Sequence, residues 1–251
     1  MIPKTFIVFD VWGDYAHFKR YYTTASPLTF AIPPRTAIVG LISAILGLGK
    51  ALFGSKEDEY LSHMTKDQAC IALQLLHPVK KVRLGMNLIN TKDGYWVPVK
   101  RGFHEPRTQI RFEFLKDPKF RIYFSHRERK LYETLRQYLK EHKSVYTPYL
   151  GISELIANFE YIGEFAVARK PQEDEVIAVK TVLPLDVAVL DPKKLLEPGY
   201  KFFKERIPTE MRPGRVVTKY CEVLYEGEGK PIYAKVKEGF ILEDEECIVP
   251  L

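Results

Sequence analysis

Hydrophobic residues follow two different patterns along this chain: some segments are apolar throughout, and others alternate apolar with polar residues. The difference predicts which strands are buried on both faces. Residues 5–12 and 69–77 are apolar at odd and even positions alike, which predicts central strands covered on both faces. Between them, Pro33 and Pro34 precede an apolar stretch from Arg35 to Leu48. This pattern predicts a helix, with the two prolines fixing the backbone at its start.

Regular alternation of apolar and polar residues marks the middle of the chain. Residues 107–115 are predicted as a strand, which Asp117-Pro118 joins to a second alternating strand, and residues 127–142 are predicted as a helix with a leucine stripe. One predicted strand face is apolar and carries Ile110, Phe112, Phe114, Phe120, Ile122 and Phe124. The other face is polar and carries Arg107, Gln109, Arg111, Arg121 and Tyr123.

The predicted order is therefore strand, helix, strand, insertion, strand, helix. In the insertion, Lys92-Asp93-Gly94 predicts a hairpin turn between strands at 83–90 and 95–100. This order is typical of an α+β fold with a ferredoxin-like or RNA-recognition domain, here over residues 1–145, and the inserted β-hairpin occupies residues 78–106.

The remainder of the chain has a different pattern. Residues 146–251 show short strands between Pro and Gly breaks, with a second hairpin turn predicted at residues 226–229. We predict a smaller, mostly β C-terminal domain.

Basic residues are concentrated in one segment. Residues 80–145 contain 17 Lys and Arg but only seven Asp and Glu, so this segment carries a net charge of +10, whereas the rest of the chain carries −4. A positive strand surface with aromatic residues nearby favours nucleic acid, and single-stranded RNA over duplex DNA.

The cysteines and the apolar stretches exclude several classes of protein. Cys70, Cys221 and Cys247 follow neither zinc nor disulfide spacing, so we expect a reducing cytoplasm and no metal or other cofactor. The N-terminus lacks the features of a signal peptide, and the longest apolar stretch is too short and too glycine-interrupted to cross a bilayer. We therefore expect a cytoplasmic protein without a membrane partner.

The loop before the first predicted helix holds candidate phosphate ligands. Lys19, Arg20 and Arg35 surround the helix N-terminus, whose free N–H groups favour anions, and Tyr22 offers a stacking surface. The alternative is an ordinary capped helix beside a solvated loop, since most helix N-termini bind only water. His17 can hydrogen-bond either RNA or a backbone group.

Several motifs, in this order, resemble a known family. They are Gly13-Asp-Tyr-Ala-His-Phe18, Thr24-Ala-Ser-Pro-Leu-Thr-Phe30, Pro33-Pro-Arg-Thr-Ala-Ile-Val-Gly40, Arg107-Thr-Gln-Ile-Arg111, Asp117-Pro118 and Pro148-Tyr-Leu-Gly-Ile-Ser-Glu154. Together they resemble the CRISPR-associated Cas-five family over roughly residues 5 to 155. The N-terminal motif is most similar to the type I-B form, with type I-A next.

The resemblance implies both a fold and a function. Members of this family belong to the repeat-associated mysterious protein (RAMP) superfamily and carry an RNA-recognition-like domain with a long β-hairpin thumb. In the type I surveillance complex (Cascade), an antiviral defence system, they cap the backbone filament and grip the 5′ handle of the CRISPR RNA. The resemblance also implies contacts with the backbone subunit and the large subunit, and with target DNA through the complex.

The predicted RNA-binding residues follow from this expected thumb and the strand after it. Trp96 either stacks on bases or packs on the sheet. Lys100, Arg101 and Arg107 are expected at phosphates, which position RNA more than they specify its sequence. The full predicted RNA surface comprises His17, Lys19, Arg20, Tyr22, Arg35, Trp96, Lys100, Arg101, His104, Arg107, Gln109 and Arg111.

Two alternative functions remain open. A metal-independent endonuclease that processes CRISPR repeat RNA, as in the type I-C branch, would use Tyr22, Lys100 and His104 for acid–base work and charge stabilisation. That branch has adjacent Lys and His residues, whereas Arg-Gly-Phe separates Lys100 from His104 here, so we expect a non-catalytic subunit. The other alternative is a general single-stranded RNA-binding module outside CRISPR.

Overall fold

Strands from both halves of the chain form one nine-stranded sheet, accompanied by two three-stranded sheets. The computed structural model describes residues 3–20, 27–49, 59–89 and 107–251. The elements are β1 (Thr5–Trp12), β2 (Tyr15–Ala16), α1 (Arg35–Leu46), α2 (Glu59–His63), β3 (Ala69–Leu75), β4 (Lys81–Ile89), β5 (Arg107–Lys116), β6 (Lys119–His126), α3 (Arg129–Lys140), β7 (Asn158–Arg169), β8 (Ile177–Val179), β9 (Leu183–Pro184), β10 (Ala188–Leu190), α4 (Pro192–Leu195), β11 (Phe202–Arg212), β12 (Val216–Glu226), β13 (Ile232–Val236), β14 (Phe240–Leu242) and β15 (Cys247–Ile248).

Strand β1 lies inside the large sheet, whose order is β10-β13-β8-β15-β14-β7-β1-β6-β3. It pairs antiparallel with β6 on one side and with β7 on the other. Because β7 follows residue 145, the sheet runs across the predicted boundary between residues 145 and 146. None of the helices in the described part of the chain has the length and apolar character needed to span a bilayer.

Both faces of β1 are buried, which confirms the prediction from its two-sided apolar pattern. Ile7 and Phe9 belong to a core that includes buried side chains of α1 and α3. Phe6 and Val8 point to the opposite face, where the core is completed by C-terminal residues that include Phe240, Leu242 and Ile248. Burial of each such side chain contributes about 1.5–3 kcal/mol, so β1 joins the two layers.

Strands β4 and β5 form a two-stranded arm that belongs to a separate sheet. They pair antiparallel through nine cross-strand pairs, from Lys81 opposite Leu115 to Ile89 opposite Arg107. Residues directly opposite each other share a face of the ladder, so the arm has one apolar and one polar face.

Strand β4 has β5 as its partner among the described strands, and the predicted hairpin turn at Lys92-Asp93-Gly94 with its strand at 95–100 lies outside the described residues. One prediction about this region is wrong, namely that β5 and β6 share one polar face, because the two strands lie in different sheets. The chain turns between them at Asp117, whose φ of 50° is left-handed. Arg121 consequently lies in the large sheet and donates to the Asp10 carboxylate at 2.8 Å and 3.2 Å.

The predicted hairpin turn at residues 226–229 is also wrong. Strand β12 pairs with β11 and β9, while β13 pairs with β8 and β10, so the segment does not connect neighbouring strands. The glycines of this segment instead allow its backbone to pack closely against neighbouring residues. At Gly229, with a φ of 81°, an added Cβ would lie 2.6 Å from the Leu75 carbonyl oxygen.

Arg35 anchors the start of α1 from the interior. Its side chain is only 2% exposed. The guanidinium donates to the carbonyl oxygens of Met64 (3.0 Å), Ala69 (2.9 Å) and Thr209 (3.3 Å). Burial lowers its pKa to about 10, so it remains charged at neutral pH. The structure thus corrects the prediction of Arg35 as a phosphate ligand, because the guanidinium is already bonded inside the protein.

We predict that Arg35→Met lowers the free energy of unfolding by about 2–4 kcal/mol, because three buried carbonyl groups lose a charged donor while the unbranched apolar stem of the side chain is kept. Urea denaturation measures this change. The matched control is Arg129→Met, since Arg129 is exposed on α3, and a surface change of this kind costs about 0.5 kcal/mol or less. Equal unfolding energies for the two variants would contradict the anchoring role.

Candidate nucleic-acid interface

The polar face of the arm presents cationic and amide side chains to solvent. Arg107, Gln109 and Arg111 alternate along β5 and are all exposed. The register places Asn87 opposite Gln109, and Arg83 is two residues before Gly85, which faces Arg111. Neither Arg107 nor Arg111 forms an ion pair with a residue that the structure describes. The two guanidinium groups can therefore bind phosphate groups without breaking an ion pair to any described residue.

The opposite face of the arm is apolar and packs at its base on β2. Phe114 is buried, and its ring lies 6.0 Å from that of Tyr15. Phe112 stacks on Phe114, and His17 meets both rings at 5.3 Å and 5.6 Å between centroids. Leu84, further along, is 41% exposed. This one-sided packing explains why the charged residues of the arm face solvent.

Glu113 holds the base of the arm to the loop after β2. Its carboxylate accepts a hydrogen bond from Lys81 Nζ at 3.1 Å and lies 3.9 Å from Arg83. Its backbone oxygen accepts from His17 Nδ1 at 2.7 Å. Lys81 also donates to the Thr29 carbonyl oxygen at 3.1 Å. These contacts fix the direction in which the arm leaves the body of the protein.

A groove of about 690 Å³ opens beside the base of the arm, and we call it the basal groove. Five cationic and two acidic side chains line it, together with three aromatic rings; they are Arg20, Lys81, Lys201, Lys204, Arg206, Glu205, Glu228, Phe30, Phe203 and Tyr225. Phe203 is 47% exposed and stacks on Tyr225 with 5.6 Å between ring centroids. Since Lys81 lies on the arm and lines the groove, the two cationic surfaces are continuous.

Acidic side chains orient the cations of this groove. Arg20 forms an ion pair with Glu205 and lies over the Phe30 ring at 5.4 Å. Lys201 bridges to Glu228 at 2.7 Å, and the neighbouring ammonium groups lower the pKa of Glu228 to about 2. Lys81 and Lys204 are paired in the same way, with Glu113 at 3.1 Å and Glu222 at 2.7 Å, so carboxylates hold four of the five cations in a defined geometry.

Glu226 builds one wall of the basal groove, a role that was not predicted from the sequence. Its carboxylate is buried and accepts hydrogen bonds from the backbone N–H groups of Lys201 (2.9 Å), Glu228 (2.9 Å) and Lys230 (2.8 Å). The sequence signal was the run Glu226-Gly-Glu-Gly229, which combines an acceptor with backbone freedom.

The structure places the residues predicted to bind RNA in different surroundings. Arg107, Gln109 and Arg111 share the exposed face of the arm, and Arg20 lines the basal groove. Lys19 is exposed beside the same loop, whereas His17 is buried. Five further candidates lie outside the described residues, namely Tyr22, Trp96, Lys100, Arg101 and His104. Within the described ranges, no group of three His, Cys, Asp or Glu side chains is placed to hold a metal ion.

Burial determines the protonation state of His17. Its side chain is 1% exposed, and this desolvation lowers its pKa below the ordinary 6.5, against the opposing effect of the Glu113 carbonyl. Because Nδ1 donates to that carbonyl, the neutral ring carries its lone pair on Nε2. His17 is therefore a neutral acceptor at physiological pH.

Sheet order, arm and basal groove together define a mixed α+β protein with a projecting cationic arm. Residues 6–213 match the family described as CRISPR-associated protein (Cas_Cas5). The chain belongs to this Cas-five family, as its motifs predicted.

Solved structures agree with this class of fold. A chain of a "CRISPR RNA-guided surveillance complex" superposes with a TM-score of 0.51 at 12% identity, covering 90% of this chain and 91% of that chain. A CRISPR protein from Archaeoglobus fulgidus gives a TM-score of 0.54 at 14% identity, covering 98% of each chain. The comparison with curated proteins found no match. At these identities the structural likeness concerns the fold alone.

We predict that stability falls as the pH drops below about 6.5, and that His17→Asn reduces this dependence. The folded-state pKa of His17 is below 6.5, so the unfolded chain binds the proton more tightly and acid favours unfolding. Asn keeps a donor towards the Glu113 carbonyl but has no titrating nitrogen. Urea midpoints at pH 7 and pH 5 measure the effect. His77→Asn is the control, because His77 makes a similar bond to a carbonyl (Asp117, 3.0 Å) at the surface; the same change in both variants would contradict the assignment.

Proposed function

We propose that this protein is a non-catalytic, RNA-binding subunit of a type I CRISPR effector complex, in which it grips the 5′ handle of the CRISPR RNA. The observation that carries the proposal is the continuous cationic surface from Arg107 and Arg111, through Lys81, into the basal groove. Membership of the Cas-five family supports the assignment to CRISPR. One structural relative is part of a "CRISPR RNA-guided surveillance complex", which supports an assembly with CRISPR RNA.

The chemistry of this surface favours a single strand over a duplex. The basal groove combines five cations with an exposed aromatic ring, Phe203. Cations follow a phosphate backbone, and an exposed ring stacks on an unpaired base. Paired bases would hide their faces from Phe203. A bound strand would pass from the polar face of the arm into the groove, with Lys81 at the junction.

The proposal extends to the subtype, the core and the partners. We assign the chain to type I-B, with type I-A as the alternative, on the wording of its N-terminal motif. We interpret the core as ferredoxin-like, because strands β7-β1-β6-β3 are adjacent in that order, α1 lies between β1 and β3 in the chain, and α3 lies between β6 and β7. The arm β4–β5 would be the thumb, and the expected partners are the backbone subunit, the large subunit and, through the complex, target DNA.

We predict that Arg107→Ala combined with Arg111→Ala weakens binding of the repeat-derived 5′-handle RNA by about tenfold at moderate salt, and lowers the steepness of its salt dependence by about 1.4, since each lost phosphate contact removes about 0.7. Fluorescence anisotropy over a salt series measures both. The control is Arg129→Ala with Lys130→Ala, which removes two exposed positive charges from α3. If both double variants lose affinity equally, net charge rather than the arm is responsible, and the proposed surface fails.

The non-catalytic assignment has its own test. We predict that full-length repeat RNA incubated with the protein in EDTA remains intact on a denaturing gel while a native gel shows it bound. Discrete cleavage near the base of the repeat, lost in Tyr22→Phe or His104→Ala, would establish the endonuclease instead. Equal binding of the handle and a scrambled strand would favour a general RNA-binding module.

A further inference from the structure

A second groove, of about 700 Å³, lies over helix α1, and we call it the helix groove. One wall is the lean side of α1, with Ala37, Gly40 and Ala44; other residues of the lining come from segment 146–151 and from the β11–β12 pair. Gly40 is exposed, and a Cβ placed there would meet nothing within 4 Å. This volume falls in the range of small-ligand sites, about 300–1,000 Å³.

Two buried polar side chains line the groove, and each has one polar atom without a hydrogen-bond partner among the described residues. His17 is 1% exposed and Ser43 is 3% exposed. Neither His17 Nε2 nor Ser43 Oγ has a hydrogen-bond partner among the residues that the structure describes. Buried polar atoms are nearly always bonded, because an unpaired one costs free energy. Since His17 Nδ1 donates to the Glu113 carbonyl oxygen, its Nε2 is an acceptor to which no described residue donates.

The remaining lining has the composition of a nucleotide site. Four tyrosines contribute to it: Tyr146 and Tyr149 are exposed, Tyr60 is buried, and the ring of Tyr220 lies under the Arg206 guanidinium. Two exposed cations, Lys19 and Arg215, also line it. Aromatic rings stack on bases of any identity, and cations bind the adjoining phosphates. A peptide segment would have no comparable need for both cations beside the rings.

We propose that the helix groove holds one nucleobase of the bound RNA, a base with an exocyclic amine that donates to His17 Nε2 and also contacts Ser43 Oγ. This inference rests on the proposed function and adds a base-selective site to it. The arm and the basal groove position the backbone through charge, whereas the helix groove discriminates between bases through a directed acceptor. Lys19 and Arg215 are available to the phosphates on either side of that base.

The first test fills the helix groove without damaging the helix. Gly40→Leu places a side chain in the open space, and Gly40→Ala adds only a methyl group; both raise helix propensity, so both variants fold. We expect the octamer rC8 to bind Gly40→Leu about tenfold more weakly than wild type, which is the effect of losing one stacked base. Gly40→Ala should bind within about twofold of wild type. Anisotropy measures affinity, and thermal unfolding confirms the fold.

The second test compares two pyrimidines that differ in the amine. Wild type should prefer rC8 over rU8, because cytosine has an exocyclic amine donor and uracil has a carbonyl at the same position. His17→Asn keeps the bond to Glu113 but removes Nε2, and Ser43→Ala removes the hydroxyl. Each should reduce the preference without abolishing binding, a result that loss of folding would not produce.

The outcomes separate this inference from the proposed function. Equal wild-type affinity for rC8 and rU8, together with unchanged binding by Gly40→Leu, overturns the base site while RNA binding stands. If Gly40→Leu keeps its RNA affinity but no longer assembles with the other subunits, the groove is a protein-docking site and the inference is wrong. If wild type binds neither octamer and no handle RNA, both the proposed function and this inference fail.

Discussion

The rest of the structure depends on the burial of strand β1 between two apolar layers. Its odd-numbered side chains, such as Ile7 and Phe9, pack in the core shared with α1 and α3. Its even-numbered side chains, such as Phe6 and Val8, pack towards β14 and β15. A strand that faces water on one side could not join the two halves of the chain in this way. This arrangement also positions the candidate interface, because β2 follows directly from the end of β1 and pairs with β5 at the base of the arm.

Carboxylates fix the positions of the lysine and arginine side chains, and of the backbone that carries them, through ion pairs and hydrogen bonds. Glu113 holds Lys81 and the loop at the base of the arm. Glu226 collects three backbone N–H groups and so fixes the segment that carries Lys201 and Lys230. Because each acid is bonded to a specific donor, the surrounding cations are held apart in defined positions. A surface of unpaired lysines would bind RNA and other polyanions equally well, and it would not fix the register of the RNA on the protein.

Binding of the RNA backbone and recognition of a base thus depend on different kinds of side chain. The arm and the basal groove offer exposed charge, which positions a backbone without reading its sequence. The helix groove offers buried, directed groups whose partners are missing from the part of the protein that the structure describes. Arg35, which looked like a phosphate ligand, belongs to neither: its guanidinium is bonded to three carbonyls, and it instead secures the helix that forms one wall of the helix groove.

The sequence by itself determined the family, the α+β class and the buried central strands. These follow from local patterns, since two-sided apolar segments and ordered motifs are legible without any knowledge of contacts. It also placed Arg107, Gln109 and Arg111 together, because alternation along one strand needs only the two-residue period. Only the tertiary structure decided that β4 pairs with β5, that Arg35 and His17 are interior, and that Glu226 supports a groove wall. Those outcomes depend on residues distant in sequence, such as Thr209 beside Arg35 and Lys201 beside Glu226, and no local period encodes which of many possible long-range partners a polar side chain meets.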